Sequence, residues 1–192
     1  MLKFVNNSTF MTATRPISEV TGIDPVSNEM ISHQFTDFEF SELAAFLVTA
    51  KKATYATGNV PSEGARPGTN SFKYSQGQWL YIDEYFGAGM FVGTEVVYFS
   101  NKPVWAMSYS GFECSPDPEV NQAAIRCLCS ALSRVDESDI PVRGVKTRLN
   151  GYSYIPKTRG SLIKFNGREV IEKINDHKEV FYCNYSGGLI VT

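Results

Sequence analysis

Between residues 36 and 57 the apolar side chains recur at the helical period, with Leu43, Phe46, Leu47 and Ala50 on an i, i+3, i+4, i+7 stripe. Thr36, with Glu39 three residues later, has the form of a capping box, and Gly58 closes the run. From Phe72 the period changes to two. "QWLYIDEYF", "MFVGTEVVYFS" and "PVWAMSYSGF" read as three consecutive strands, punctuated by Gly87 and Gly89 and by the turn "SNKP". A second helix follows in "SPDPEVNQAAIRCLCSALSRV". Its stripe is Val120, Ala124, Leu128 and Leu132, with Asp117 as N-cap and Pro118 at the first helical position. After "DESDIPVRG" the two-residue period returns in "GYSYIP", "SLIKFNGREVIEKI" and "EVFYCNYSG", ending in "LIVT".

The later strands repeat the earlier ones. Tyr81 and Ile82 align with Tyr154 and Ile155. Phe91, Gly93, Glu95 and Val96 align with Phe165, Gly167, Glu169 and Val170, and Val104, Tyr109, Ser110 and Gly111 with Val180, Tyr185, Ser186 and Gly187. A lone meander with one helix has little core, whereas two together share one. The sequence therefore predicts an α+β fold: an internally duplicated helix plus three-stranded antiparallel meander, forming one curved sheet with helices on one face. Residues 1–35 are polar and aperiodic and read as an N-terminal extension. Residues 36–192 read as the duplicated domain, with halves of about 36–112 and 113–192.

Strand alternation sorts the side chains into two faces. Tyr81, Asp83 and Tyr85 share one face of their strand, as do Trp105, Met107 and Tyr109 of theirs; together they make an aromatic stripe with polar handles, which suits either a core or a pocket that stacks a flat ligand. Glu95 lies among Phe91, Gly93, Val97 and Phe99, and Glu169 among Phe165, Gly167 and Ile171. A carboxylate on such a face needs a partner or an upward-shifted pKa. It is tied to an Arg, a Tyr hydroxyl or a backbone amide, or it belongs to a site with one Glu in each half. Gly93 and Gly167 leave space above the sheet for a ligand or for an aromatic ring of the next strand. Arg66 in "ARPG" and Arg143 in "VRG" are candidate anion clamps or the partners of these carboxylates. The segment "GNVPSEGARPGTNS" is long for a connector and reads as a lid or a surface loop. The candidate ligand-binding set is Arg66, Tyr81, Asp83, Tyr85, Glu95, Trp105, Tyr109, Arg143, Glu169 and Tyr185.

Composition narrows the chemistry. The chain has 192 residues and a net charge of −2, without a clustered basic excess, so direct nucleic-acid binding is not expected. No apolar run reaches the length of a membrane span, and the N-terminus has no signal-peptide core. Cys127 and Cys129 lie about 200° apart around a helix. With Cys114, Cys183 and two histidines they make no zinc pattern, so neither metal nor cofactor is expected, and reduced thiols fit a cytoplasmic setting. No GxSxG, Walker loop, GxGxxG or HExxH occurs.

The run "YIDEYFG", "FVGTEVVYF", "PVWAMSYSG", "VRG", "FNGREVI" and "NYSGG" resembles the bacterial domain-of-unknown-function family numbered 5680, over about residues 38–191. The resemblance implies a stand-alone protein or a partner of helix-turn-helix domains, hence sensing or ligand binding, and carries no catalytic residue with it. Residues 1–35 do not read as a helix-turn-helix. The expectation is therefore a non-enzymatic domain that binds a small polar or aromatic molecule, one bearing an anionic group. The alternatives are a hydrolase or lyase using Glu95, Glu169 or Asp83 as acid and base, and a protein-interaction module. A homodimer is left open.

Overall fold

Phe40–Ala53 forms helix α1 in the computed structural model, which describes residues 38–190. Its buried stripe is Leu43, Phe46, Leu47 and Ala50, extended by Lys51 one turn beyond Leu47. The Glu39 backbone N–H donates to the Glu42 carboxylate at 3.0 Å and closes the first turn. The expected cap at Thr36 and the extension over residues 1–35 lie outside the described residues. The second helix, α2 (Pro118–Leu132), starts as predicted: Asp117 Oδ1 accepts from the Glu119 backbone N–H at 2.9 Å, and Pro118 takes the first turn, where no N–H is needed.

The strands are β1 (Ser62–Glu63), β2 (Asn70–Gln76), β3 (Trp79–Gly87), β4 (Met90–Phe99) and β5 (Lys102–Glu113) before α2. After it come β6 (Thr147–Leu149), β7 (Tyr152–Ser161), β8 (Lys164–Lys173) and β9 (Glu179–Leu189). They form one antiparallel sheet in the order β1-β2-β3-β4-β5-β9-β8-β7-β6. This overturns the expected duplication of a helix plus three-stranded meander. Five strands follow α1 and four follow α2, and all nine are joined through the long β5–β9 pair. The α+β class fits only loosely, since a single sheet dominates and two helices suffice among the described residues. Of the uncounted strands, β2 reads "NSFKYSQ", where Phe72 and Tyr74 alternate with Ser71, Lys73 and Ser75 and only two apolar positions mark the run, while β1 and β6 have two and three residues, too few to show a period. The hairpin joining β6 to β7 was nonetheless written in the chain. Asn150 and Gly151 both take positive φ, 48° and 86°, as a two-residue primed turn requires. The sheet ends on its two shortest strands, β1 beside Asn70 and Ser71 of β2 and β6 beside Tyr152, Ser153 and Tyr154 of β7.

Both helices lie on the same face. Phe46 packs on Trp79 with ring centroids 5.3 Å apart and on Tyr74 at 5.9 Å. The wall from β7 to β9 buries Tyr154, Ile171, Phe181 and Cys183 beneath Ala124, Cys127, Ala131 and Leu132 of α2. Burying each large apolar side chain here contributes about 1.5–3 kcal/mol. The opposite face has no helix over it, and Thr94, Ser108, Ser110, Asn184 and Ser186 are exposed on it.

Candidate functional site

Arg66 lies elsewhere, whereas alternation carries the predicted strand residues to the helix-covered face and Arg143 joins them from the loop between α2 and β6. There, Glu95 is fully buried: Lys51 Nζ of α1 lies 2.8 Å from Oε2, and the Tyr55 hydroxyl donates to Oε1 at 3.4 Å. Glu169 is equally buried. Arg143 Nη1 donates to its Oε1 at 2.8 Å and the Tyr154 hydroxyl to its Oε2 at 2.5 Å. The Arg143 guanidinium also sits 5.2–5.9 Å from the rings of Tyr55, Tyr109 and Tyr185, and Nη1 lies 3.0 Å from Cys183 Sγ. Burial, which outweighs the nearby Arg143, pushes the Cys183 thiol up to about 12. Glu95 thus holds Lys51 of α1, and Glu169 holds Arg143 of the loop after α2.

Asp83 is the cross-strand neighbour of Glu95 and accepts from the Tyr109 hydroxyl at 2.6 Å. Burial first, and then the Glu95 charge, raise its carboxyl to about 7. The Tyr109 hydroxyl is held well above its usual range by burial and by Asp83. Tyr185 accompanies it, its hydroxyl 2.6 Å from Thr158 Oγ1 and pushed by burial up to about 12. Tyr85 is half-buried at the rim, and its hydroxyl is raised by burial. Tyr81 and Trp105 are sealed beneath α1, with Lys51 Nζ 5.8 Å from the Trp105 ring, and neither the Tyr81 hydroxyl nor Trp105 Nε1 has a hydrogen-bond partner.

The space over the two glycines is filled by the neighbouring strand. A Cβ on Gly93 would lie 2.6 Å from the Tyr109 hydroxyl and from Tyr85 Cβ; one on Gly167 would lie 2.5 Å from the Tyr185 ring. Gly93→Ala must therefore displace a tyrosine that is already hydrogen-bonded. It is expected to lose about 1–3 kcal/mol, read as a lower urea midpoint with unchanged slope.

Arg66 lies on the other face. Its backbone N–H donates to Glu84 Oε1 at 2.9 Å, the Thr69 hydroxyl donates to the same oxygen at 2.6 Å, and Arg66 Nη2 is 3.4 Å from Glu84 Oε2. The Thr69 hydroxyl and then the Arg66 N–H hold the Glu84 carboxyl down at about 2. These bonds latch the loop over residues 63–69 onto the open face and enclose a groove of about 360 Å³ lined by Arg66, Ser71, Lys73, Glu84, Thr94 and Tyr98. A second groove, of about 370 Å³, runs past Phe86, Met90, Val92, Phe112 and Tyr182, with Ser110 and Asn184 as its polar groups. Sequence reasoning placed Arg66 in a binding loop but missed Ser71, Lys73, Glu84, Thr94 and Tyr98. It also missed Lys51, although Lys51 continues the apolar stripe of α1, and a cation there signals a buried counter-charge.

A family model described as Domain of unknown function (DUF5680) matches residues 83–190, more than half of the chain, from Asp83 in β3 to the residue after β9. The chain belongs to the DUF5680 family. The matched stretch is shorter than the expected 38–191 and includes Asp83, Glu95, Tyr109, Arg143, Tyr154, Glu169 and Tyr185, so the ionic core is inside it except for Lys51 and Tyr55 of the α1 segment. Of the groove beneath the loop, Glu84, Thr94 and Tyr98 fall inside the DUF5680 match, and Arg66, Ser71 and Lys73 precede it. No curated protein and no solved structure matches the chain. Among the described residues no three His, Cys, Asp or Glu side chains gather as metal ligands, and no helix is long and apolar enough to cross a membrane.

Proposed function

We propose that this DUF5680 domain is a non-enzymatic module that binds a small molecule on the open face of its sheet. The reading rests on one contrast. On the helix-covered face the buried charges find internal partners, whereas the open face carries two grooves of the size small ligands occupy. The internal pairing of Glu95 and Glu169 counts against a hydrolase or lyase that would need them free. The four unpaired cysteines support a reducing, cytoplasmic compartment.

The test is a thermal-shift screen of metabolites and nucleotides. A ligand present at about 100 times its Kd stabilises the fold by about 2.7 kcal/mol. Thr94→Lys obstructs the groove beneath the loop and Val92→Lys the second groove, both at exposed positions that spare the core. A hit abolished by one of these variants supports the reading. Hits unaffected by both, or none at all, count against it. An interaction module is the second reading, and it draws on the exposure of Met90 at 72% and Val92 at 53%. It is favoured if the screen is empty and sedimentation shows a homodimer that Val92→Lys dissociates.

A further inference from the structure

Resting on that binding reading, we infer that the groove beneath the 63–69 loop is a site for a small monocarboxylate with a short apolar body. The first observation is Ser71. It is 2% exposed, it lies on the groove side of β2 opposite Glu84, and its hydroxyl has no hydrogen-bond partner. A buried hydroxyl is normally satisfied; the unpartnered groups of Tyr81 and Trp105 are sealed beneath α1, whereas Ser71 lines a groove that a partner can enter. Alternation puts Ser71 and Lys73 on the same side of the strand, and both line the groove.

The second observation is the local charge. Glu84 is committed to the loop, since both of its oxygens are engaged by Arg66 and Thr69. Lys73 makes no ion pair among the described residues, and the Arg66 side chain is half exposed, with its guanidinium 5.4 Å from the Phe86 ring. One anion set against two cations leaves a single positive charge, which matches a carboxylate better than a phosphate dianion. The third observation is the lining. Ile82, Val96 and Ala65 supply an apolar wall, and the Thr94 and Tyr98 hydroxyls stand beside it. A volume of about 360 Å³ admits a molecule the size of benzoate. In this arrangement the Ser71 hydroxyl donates to one carboxylate oxygen, Lys73 and Arg66 offset the charge, and the body of the ligand lies on Ile82 and Val96.

The experiment is a titration of the isotope-labelled full chain with sodium benzoate, benzamide and inorganic phosphate at constant ionic strength, followed by amide chemical shifts. Benzoate is expected to move amides over residues 64–73, 82–84 and 94–98, saturably. Benzamide is expected to bind at least tenfold more weakly, and Lys73→Gln to weaken benzoate at least fivefold. Ser71→Ala supplies a readout that a structural serine would not. It removes a buried, unpaired hydroxyl, so it raises the melting temperature while weakening benzoate. Equal binding of benzamide and benzoate, tighter binding of phosphate, or shifts confined to Phe112 and Tyr182 would overturn the site. If benzoate fails while a screened compound is lost in Val92→Lys, the carboxylate site is wrong and the small-molecule reading stands. If no compound stabilises the protein at all, both are wrong.

Discussion

Arg143→Met is expected to lower the unfolding free energy by about 3–5 kcal/mol, a large fraction of the 5–15 kcal/mol typical of such a domain. The size of the loss follows from what remains. Arg143 is 7% exposed and Glu169 0%, so removing the guanidinium leaves a carboxylate sealed in the core with only the Tyr154 hydroxyl to satisfy it. The Cys183 sulfur and the faces of Tyr55, Tyr109 and Tyr185 lose the same cation. Methionine replaces much of the apolar stem, so the deficit reports charge rather than volume. Adding Glu169→Gln removes the stranded charge and should recover more than half of the loss, a coupling that a double-mutant cycle in urea measures. A single variant costing less than about 1 kcal/mol would show that the pair does not anchor the loop after α2 to β8.

Asp83→Asn is expected to change the pH dependence of stability more than any other single substitution. The Asp83 carboxyl rises from 3.8 to about 7 on folding, through burial and then through Glu95. Between those values the folded chain keeps a proton that the unfolded chain has released. Stability is therefore fully present below about 3.8, falls as the pH rises, and the loss is complete above about 7. The shift corresponds to at most about 4 kcal/mol. Lys51 and Arg143 pull in the opposite direction, so the value of about 7 is already the balance of burial and Glu95 against these cations. Asparagine still accepts from the Tyr109 hydroxyl and has nothing to ionise. The variant should match or fall below the parent at pH 4.5 and exceed it at pH 8, with urea midpoints at both values as the measurement. An unchanged slope between them would show that another group titrates.

Both Arg143 and Asp83 stand out in the chain itself, one as a cation beside a glycine and the other as an acid among aromatic rings. Period-two alternation grouped Tyr81 with Asp83, Trp105 with Tyr109, and Glu95 and Glu169 each with the apolar neighbours of its own strand, because side-chain direction in a strand is a local property of the backbone. Asp117 and Pro118 marked the start of α2 for an equally local reason. The partners of those side chains were not local. Lys51 reaches Glu95 across 44 positions of sequence and Arg143 reaches Glu169 across 26, and no pattern within either segment encodes the meeting.

The sequence by itself determined the elements around α1, α2 and the long strands, the two-faced sorting of the rings and carboxylates, and membership of the family. Tertiary structure alone decided which of the two sets of side chains the helices cover. The helices close over the aromatic stripe and turn Glu95, Asp83 and Glu169 into a hydrogen-bonded core, while the face without helices keeps its grooves open. Alternation states which side chains point together, but which of the two sets is buried depends on where a distant helix packs.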